Sequence, residues 1–138
     1  MPVFQTTDQL YACIGGLFER MKSHPETQGM LKTLKLTVRF SYTEPTGVIT
    51  LVSCNGEPSI HYGECHPKPD VELAMTGDVA HHFWLGGINV MGAITKRQIV
   101  PIGSLSKIMT LAPLIKAAIK LYPQHFQEFL SKHDAYVR

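Results

Sequence analysis

The chain has 138 residues, of which 44% are apolar, and this size and composition suit one globular domain over residues 1–138 with a substantial core. Its net charge of +2 is too mild, and its Lys and Arg too dispersed, to indicate a nucleic-acid partner. Three cysteines at irregular spacing argue against a disulfide scaffold. With no signal-peptide pattern and no peroxisomal Ser-Lys-Leu ending, the expected location is the cytoplasm.

A helical pattern comes first. Thr6 is a candidate N-cap, and Gln9 three residues later completes a capping box. Apolar residues then recur at helical spacing: Leu10, Cys13, Ile14, Leu17, Phe18 and Met21. Gly15 and Gly16 interrupt this helix, which we interpret as close packing against a sheet, with a flexible gate as the alternative. A short second helix is predicted over residues 26–32.

Strict alternation of apolar and polar residues predicts a strand over residues 34–43. Turn residues at 44–47 and 55–58 predict two hairpins, and a fourth alternating segment begins at Val71. The predicted pairs are Thr43 with Val48, Phe40 with Leu51, Cys54 with Ser59, and Leu51 with Tyr62. These registers put the apolar residues of all three strands on one face, as a half-buried sheet requires. The sequence therefore predicts an antiparallel meander.

The least polar stretch runs from residue 85 to residue 121. It predicts a short helical piece, a short strand around residues 98–102 and a longer amphipathic helix from Ser104. Pro113 should kink or split that helix, and Tyr122-Pro123 should end it, because proline removes a backbone hydrogen bond. A separate final helix is predicted over residues 124–135. No apolar run is long enough to span a membrane.

A short helix over residues 79–85, capped by Asp78 and closed by Gly86-Gly87, precedes this stretch. It carries three large apolar residues in a row, Phe83, Trp84 and Leu85, which cannot all face one core. One of them packs outward, or Trp84 or Phe83 is part of a cavity wall or portal, or an interfacial anchor. In the second case the nearby cations would meet a lipid headgroup: Lys96, Arg97 and Lys107.

The spacing of Gly86, Asn89, Ala93 and Gly103, followed by the helix that opens SLSKIMTL, resembles the C-terminal half of the sterol carrier protein 2 domain family. The preceding DVELAMTGDVAHHF resembles that family's last outer strand and short helix. The similarity covers about residues 34–121. The chain departs from the family at Arg97, where a glycine commonly enters the fifth strand.

The resemblance implies an α+β fold, with a five-stranded, mainly antiparallel sheet covered on one face by helices. It also implies non-catalytic binding, and transfer, of a fatty acid, fatty acyl-coenzyme A, sterol or other lipid in an internal apolar tunnel. The expected lining residues are Leu36, Val38, Phe40, Leu51, Tyr62 and Leu73 from the sheet, and Phe83, Trp84, Met91, Ile94, Ile102, Leu105, Ile108, Met109, Leu111 and Ile115 from the helical side. For the strand residues, a solid core remains an equal alternative.

The sequence contains no recognisable catalytic or metal-binding motif. His61, Cys65, His66, His81 and His82 lack metal-binding spacing, and the predicted register separates Cys54 from Cys65 by about 20 Å. Cys13 lies on an apolar helical stripe, where a thiol is usually inert. We therefore expect no enzyme activity, metal or cofactor.

Two rival interpretations remain. One is an accessory domain with a collapsed cavity that forms a homodimer through its C-terminal helices; the other is a small enzyme acting on an acyl-coenzyme A. A transient contact with a membrane surface is a further expectation.

Overall fold

Five strands form one sheet in the computed structural model, which describes residues 2–53, 57–63 and 68–132. They are β1 (Thr37–Thr43), β2 (Gly47–Val52), β3 (Ser59–Tyr62), β4 (Val71–Thr76) and β5 (Val100–Gly103). Their order is β3-β2-β1-β4-β5, and all neighbours are antiparallel except β1 and β4. The predicted α+β class and the meander of the first three strands are confirmed.

The predicted hairpin registers are wrong by two residues. The observed pairs are Tyr42 with Gly47, Phe40 with Ile49, Leu51 with Ile60, and Ile49 with Tyr62. Gly47 belongs to β2 rather than to the turn, because Tyr11 packs over its Cα: a Cβ there would lie 2.9 Å from the Tyr11 ring. The Tyr11 hydroxyl also accepts a hydrogen bond from the Val48 N–H at 3.0 Å. A two-residue shift keeps every side chain on its predicted face. Cys54, the predicted partner of Ser59, lies outside the described residues, as do Cys65 and His66.

Helices cover the face of the sheet that carries these apolar residues. They are α1 (Thr7–Leu10), a π-helical segment (Tyr11–Gly15), α2 (Gly16–Ser23), α3 (Gln28–Leu34), α4 (Gly77–Trp84), α5 (Val90–Thr95), α6 (Leu105–Met109) and α7 (Ala112–Lys132). Buried side chains of α2, α4 and α7 form one core with those of β1, β2 and β4.

The N-terminal helical segment begins as predicted, with the Thr6 hydroxyl accepting a hydrogen bond from the Gln9 N–H at 3.1 Å. The Gln9 side chain accepts from the Gln5 N–H instead of completing the predicted box at Thr6. The two glycines allow close approach, since a Cβ at Gly15 would overlap the Tyr62 ring and one at Gly16 would lie 3.2 Å from His125. These contacts support the packing interpretation.

Thr76, not Asp78, caps α4. The Thr76 hydroxyl accepts a hydrogen bond from the Val79 N–H at 3.1 Å, because Thr76 has extended backbone angles and the helix already includes Gly77. The Asp78 carboxylate instead accepts from the Val3 N–H at 2.8 Å and holds the N-terminal segment. Gly86 follows the helix with φ +86°, so the predicted glycine closure is confirmed.

The predicted long helix is split near Pro113, as expected, into α6 and α7. The break predicted at Pro123 is wrong. Pro113 is the second residue of α7, a position whose N–H needs no helical partner. Pro123 lies inside α7, and the helix continues through it to Lys132. Tyr122, His125 and Phe129 are buried on either side of Pro123, and their packing overrides the local preference for a break. Residues 124–132 of the predicted separate helix are therefore the second half of α7, and its residues 133–135 lie outside the described residues.

Candidate functional site

A groove of about 360 Å³ lies between α4 and α5 on one side and α6 and α7 on the other. It is partly open to solvent, and its volume falls in the ~300–1,000 Å³ range of small-molecule sites. The lining residues are Phe83, Gly86, Ile88, Asn89, Val90, Met91, Ile108, Met109, Ala112, Ile115, Lys116 and Ile119. Apart from Asn89 and Lys116, this lining is apolar.

The first wall depends on the chain reversal after α4. Gly86 approaches α7 so closely that a Cβ would lie 3.1 Å from the Ile119 side chain. Asn89 then starts α5, because its side-chain oxygen accepts a hydrogen bond from the Gly92 N–H at 3.1 Å. Met91, the second residue of α5, lines the groove, and its side chain is 41% exposed.

The second wall comes from the two helices that Pro113 separates. Ile108 of α6 is buried, and Met109 next to it is 47% exposed. Ile115 and Ile119 are four residues apart on α7 and therefore line the groove from one helical face. Lys116 contributes the one charged side chain among these lining residues.

The structure brings five of the predicted lining residues together in this groove: Phe83, Met91, Ile108, Met109 and Ile115. Others are buried in the core beneath the sheet: Leu36, Val38, Phe40, Leu51, Leu73, Trp84 and Leu111. Phe18 fills the space between them, with its ring centroid 5.0 Å from that of Phe40 and 5.8 Å from that of Trp84. Ile94 packs against the core from its edge, half-buried.

Three predicted lining residues are exposed and are not among the residues that line the groove: Tyr62, Ile102 and Leu105. Ile102 pairs with Glu72, so it lies on the face of the sheet opposite to the helices. Sequence reasoning missed seven lining residues: Gly86, Ile88, Asn89, Val90, Ala112, Lys116 and Ile119. The available signals were the Asn89 cap three residues before Gly92 and the four-residue spacing of Ile115 and Ile119.

A buried polar cluster lies apart from the groove, where the π-helical segment, α4 and α7 meet. The Tyr122 hydroxyl lies 2.9 Å from His81 Nδ1 and 3.5 Å from Cys13 Sγ, and His125 Nε2 lies 2.7 Å from the Cys13 carbonyl oxygen. Burial raises the pKa of the Cys13 thiol to about 12 and lowers the pKa of His81 to about 4. Burial likewise lowers the pKa of His125. Cys13 is therefore a protonated thiol, and His81 is a neutral imidazole that shares a hydrogen bond with the Tyr122 hydroxyl.

Within the described ranges, no group of three or more His, Cys, Asp and Glu side chains is arranged to hold a metal ion. The same part of the chain contains no helix that is long and apolar enough to cross a bilayer.

Several solved structures resemble this one over most of both chains. The sterol carrier protein domain 2 of Helicoverpa armigera has a TM-score of 0.68 and 18% identity, covering 81% of this chain and 89% of its own. Sterol carrier protein 2 from Yarrowia lipolytica, in its apo form, has a TM-score of 0.61 and 17% identity, covering 78% and 87%. The chain has a sterol carrier protein 2-like fold.

A third structure with this sterol carrier protein 2-like fold is that of sterol carrier protein 2 from Aedes aegypti in complex with the C16 fatty acid palmitate. It has a TM-score of 0.52 and 16% identity, covering 79% of this chain and 93% of its own. No family model and no curated protein matches the sequence. At these identities the likeness establishes the fold.

Arg97, where the resemblance led us to expect a glycine, has the backbone conformation that glycine favours. Arg97 has φ +61°, in the left-handed region that favours glycine, and it lies between α5 and β5. The chain therefore keeps the backbone turn that a glycine would make at this point, and it does so with a side chain.

Proposed function

We propose that this chain binds a hydrophobic ligand in the groove between α4–α5 and α6–α7 and carries it without covalent chemistry. The ligand class is a fatty acid, a fatty acyl-coenzyme A, a sterol or another lipid, and the proposed setting is the cytoplasm. The observation that carries the proposal is the apolar lining of a groove of about 360 Å³ with one ammonium group, that of Lys116. The palmitate bound to the Aedes aegypti relative supports the same class of ligand.

Burial of an alkyl chain supplies the driving force. Each methylene group that leaves water for an apolar wall contributes about 0.8 kcal/mol before ordering costs. Met91 and Met109 suit a flexible chain, because methionine side chains adapt to irregular apolar shapes. A fatty acyl chain with an anionic head fits this lining better than a neutral sterol, because Lys116 gives the head an ionic partner.

No step of the proposed function needs a nucleophile. Cys13 is fully buried, and its raised pKa keeps it in the unreactive thiol form. The proposal therefore limits this chain to binding, orientation and release of its ligand.

Titration of the delipidated protein with a fluorescent fatty acid tests the proposal. Met109→Trp should weaken binding at least tenfold while leaving the fold intact, since this half-exposed side chain lines the groove. Met30→Trp is the matched control, because Met30 is a comparably exposed methionine on α3 and lies outside the groove. Equal binding by wild type and Met109→Trp would overturn the proposed site.

Native mass spectrometry separates this function from the dimer alternative. A lipid that co-purifies with the monomer supports carriage. A ligand-free protein that dimerises with concentration, and takes up no fatty acid, would contradict it and favour an accessory domain.

A further inference from the structure

Charge is divided unevenly along this chain. Residues 79–127 contain five of its thirteen Lys and Arg and none of its eleven Asp and Glu. The five cations are Lys96, Arg97, Lys107, Lys116 and Lys120, and all are exposed. Lys107 lies 3.8 Å from the Asp70 carboxylate, whereas the other four form no salt bridge with any described residue. The segment that builds the groove is thus strongly cationic on a protein whose remainder is net acidic.

Exposed apolar side chains occur in the same segment. Met91 and Met109 line the groove and are exposed, and Leu105 precedes Met109 by one helical turn on the same face of α6. These three side chains are 41%, 47% and 51% exposed. Lys116 lines the same groove, and Lys120 follows it by one turn of α7. We call Met91, Leu105, Met109, Lys116 and Lys120 the groove mouth.

The composition of the groove mouth decides what can cover it. A symmetric pair of chains would place this surface against itself and bring unneutralised cations face to face. An anionic bilayer instead offers phosphate and carboxylate groups to the ammonium groups and an acyl layer to Leu105 and the two methionines. The mixture of exposed apolar and cationic side chains therefore favours a lipid surface over a second copy.

We propose that the groove mouth docks on the surface of an anionic phospholipid bilayer. Docking there faces the groove toward the acyl layer, so that a lipid enters and leaves without crossing water. That consequence rests on the proposed function, but the docking itself does not.

Co-sedimentation of the delipidated protein with vesicles tests the docking. We expect binding to phosphatidylcholine–phosphatidylserine vesicles, weak binding to pure phosphatidylcholine, and loss of binding as salt is raised. Lys120→Gln should weaken binding about fivefold, the typical share of one cation near an anionic surface. Leu105→Ser should weaken it about tenfold or more, because a leucine no longer enters the acyl layer.

Lys32→Gln and Met30→Ser are the matched controls, since they make similar changes at exposed positions of α3. Both controls should bind vesicles as the wild type does. Equal sedimentation of Leu105→Ser, Lys120→Gln and the controls would overturn the docking surface. So would self-association that Lys120→Gln strengthens in sedimentation velocity, with no vesicle binding.

Fatty-acid titration without vesicles keeps the two proposals apart. Leu105 and Lys120 do not line the groove, so their variants should bind fatty acid as the wild type does. Vesicle binding without fatty-acid binding would overturn the proposed function and support the docking. Fatty-acid binding without vesicle binding would support the proposed function and overturn the docking.

Discussion

The core beneath the sheet and the groove at the C-terminal helices are both apolar, yet one is filled and the other is open. In the core, the aromatic rings of Phe18, Phe40 and Trp84 pack edge to face or tilted against one another. In the groove, the walls are mainly aliphatic side chains and methionines on the short helices α5 and α6 and on the first half of α7. Large aromatic rings fill the space in the core, whereas the aliphatic and methionine side chains of the groove leave a gap.

The largest expected effect is a difference in the free energy of unfolding between a variant in the core and a variant in the groove. Phe18→Ala should lower the free energy of unfolding by roughly 3–5 kcal/mol, because Phe18 is 2% exposed and its loss leaves a cavity among packed rings. Met109→Ala should change it by less than about 1 kcal/mol, because that side chain is already half in water. Urea denaturation of both variants measures the difference. Similar losses would mean that the groove is as tightly packed as the core.

Acid should lower the free energy of unfolding, because the buried histidines are harder to protonate in the folded protein. His81 has a pKa near 6.5 in the unfolded chain and about 4 in the folded protein. The unfolded chain therefore takes up the proton first, and the stabilisation present above about pH 6.5 is lost as the pH falls toward 4. We expect a loss of roughly 2–3 kcal/mol from His81, with a loss in the same direction from His125. Urea denaturation as a function of pH measures this slope.

The double variant His81→Phe, Tyr122→Phe provides the comparison, because it removes the imidazole and its hydroxyl hydrogen-bond partner together. Its stability should fall less steeply than that of the wild type between about pH 6.5 and 4. Parallel slopes would show that His81 is not the titrating group. Fatty-acid binding at neutral pH should be unchanged, since neither residue lines the groove.

Sequence reasoning predicted the fold in most respects, because the period-two alternation from Leu36 to Tyr42 leaves one buried face for β1. The exact register could not be read from turn composition, since it depends on Tyr11, far along the chain, packing on Gly47. The continuity of α7 through Pro123 was also hidden. It depends on long-range packing of Tyr122 and Phe129 that outweighs the local effect of proline.

The groove was harder to predict than the fold. Alternation shows that Phe40 and Leu73 are buried, but it does not show whether buried side chains face a ring such as Phe18 or an empty space. Helical spacing did identify Ile108 and Ile115, which face the groove. The difference between a filled core and an open groove depends on the separation of whole helices, which no local pattern encodes.

The smallest expected effect concerns the turn that leads from the groove into β5. Arg97→Gly should raise the free energy of unfolding by roughly 0.5–1 kcal/mol, because glycine adopts φ +61° without the steric cost that a Cβ imposes. Lys96→Gly is the matched control: it removes the same charge one residue earlier, where φ is −85°, and it should destabilise the protein. Thermal unfolding of the two variants measures both changes. If both variants shifted the melting temperature in the same direction, the positive φ of Arg97 would not decide the stability of this turn.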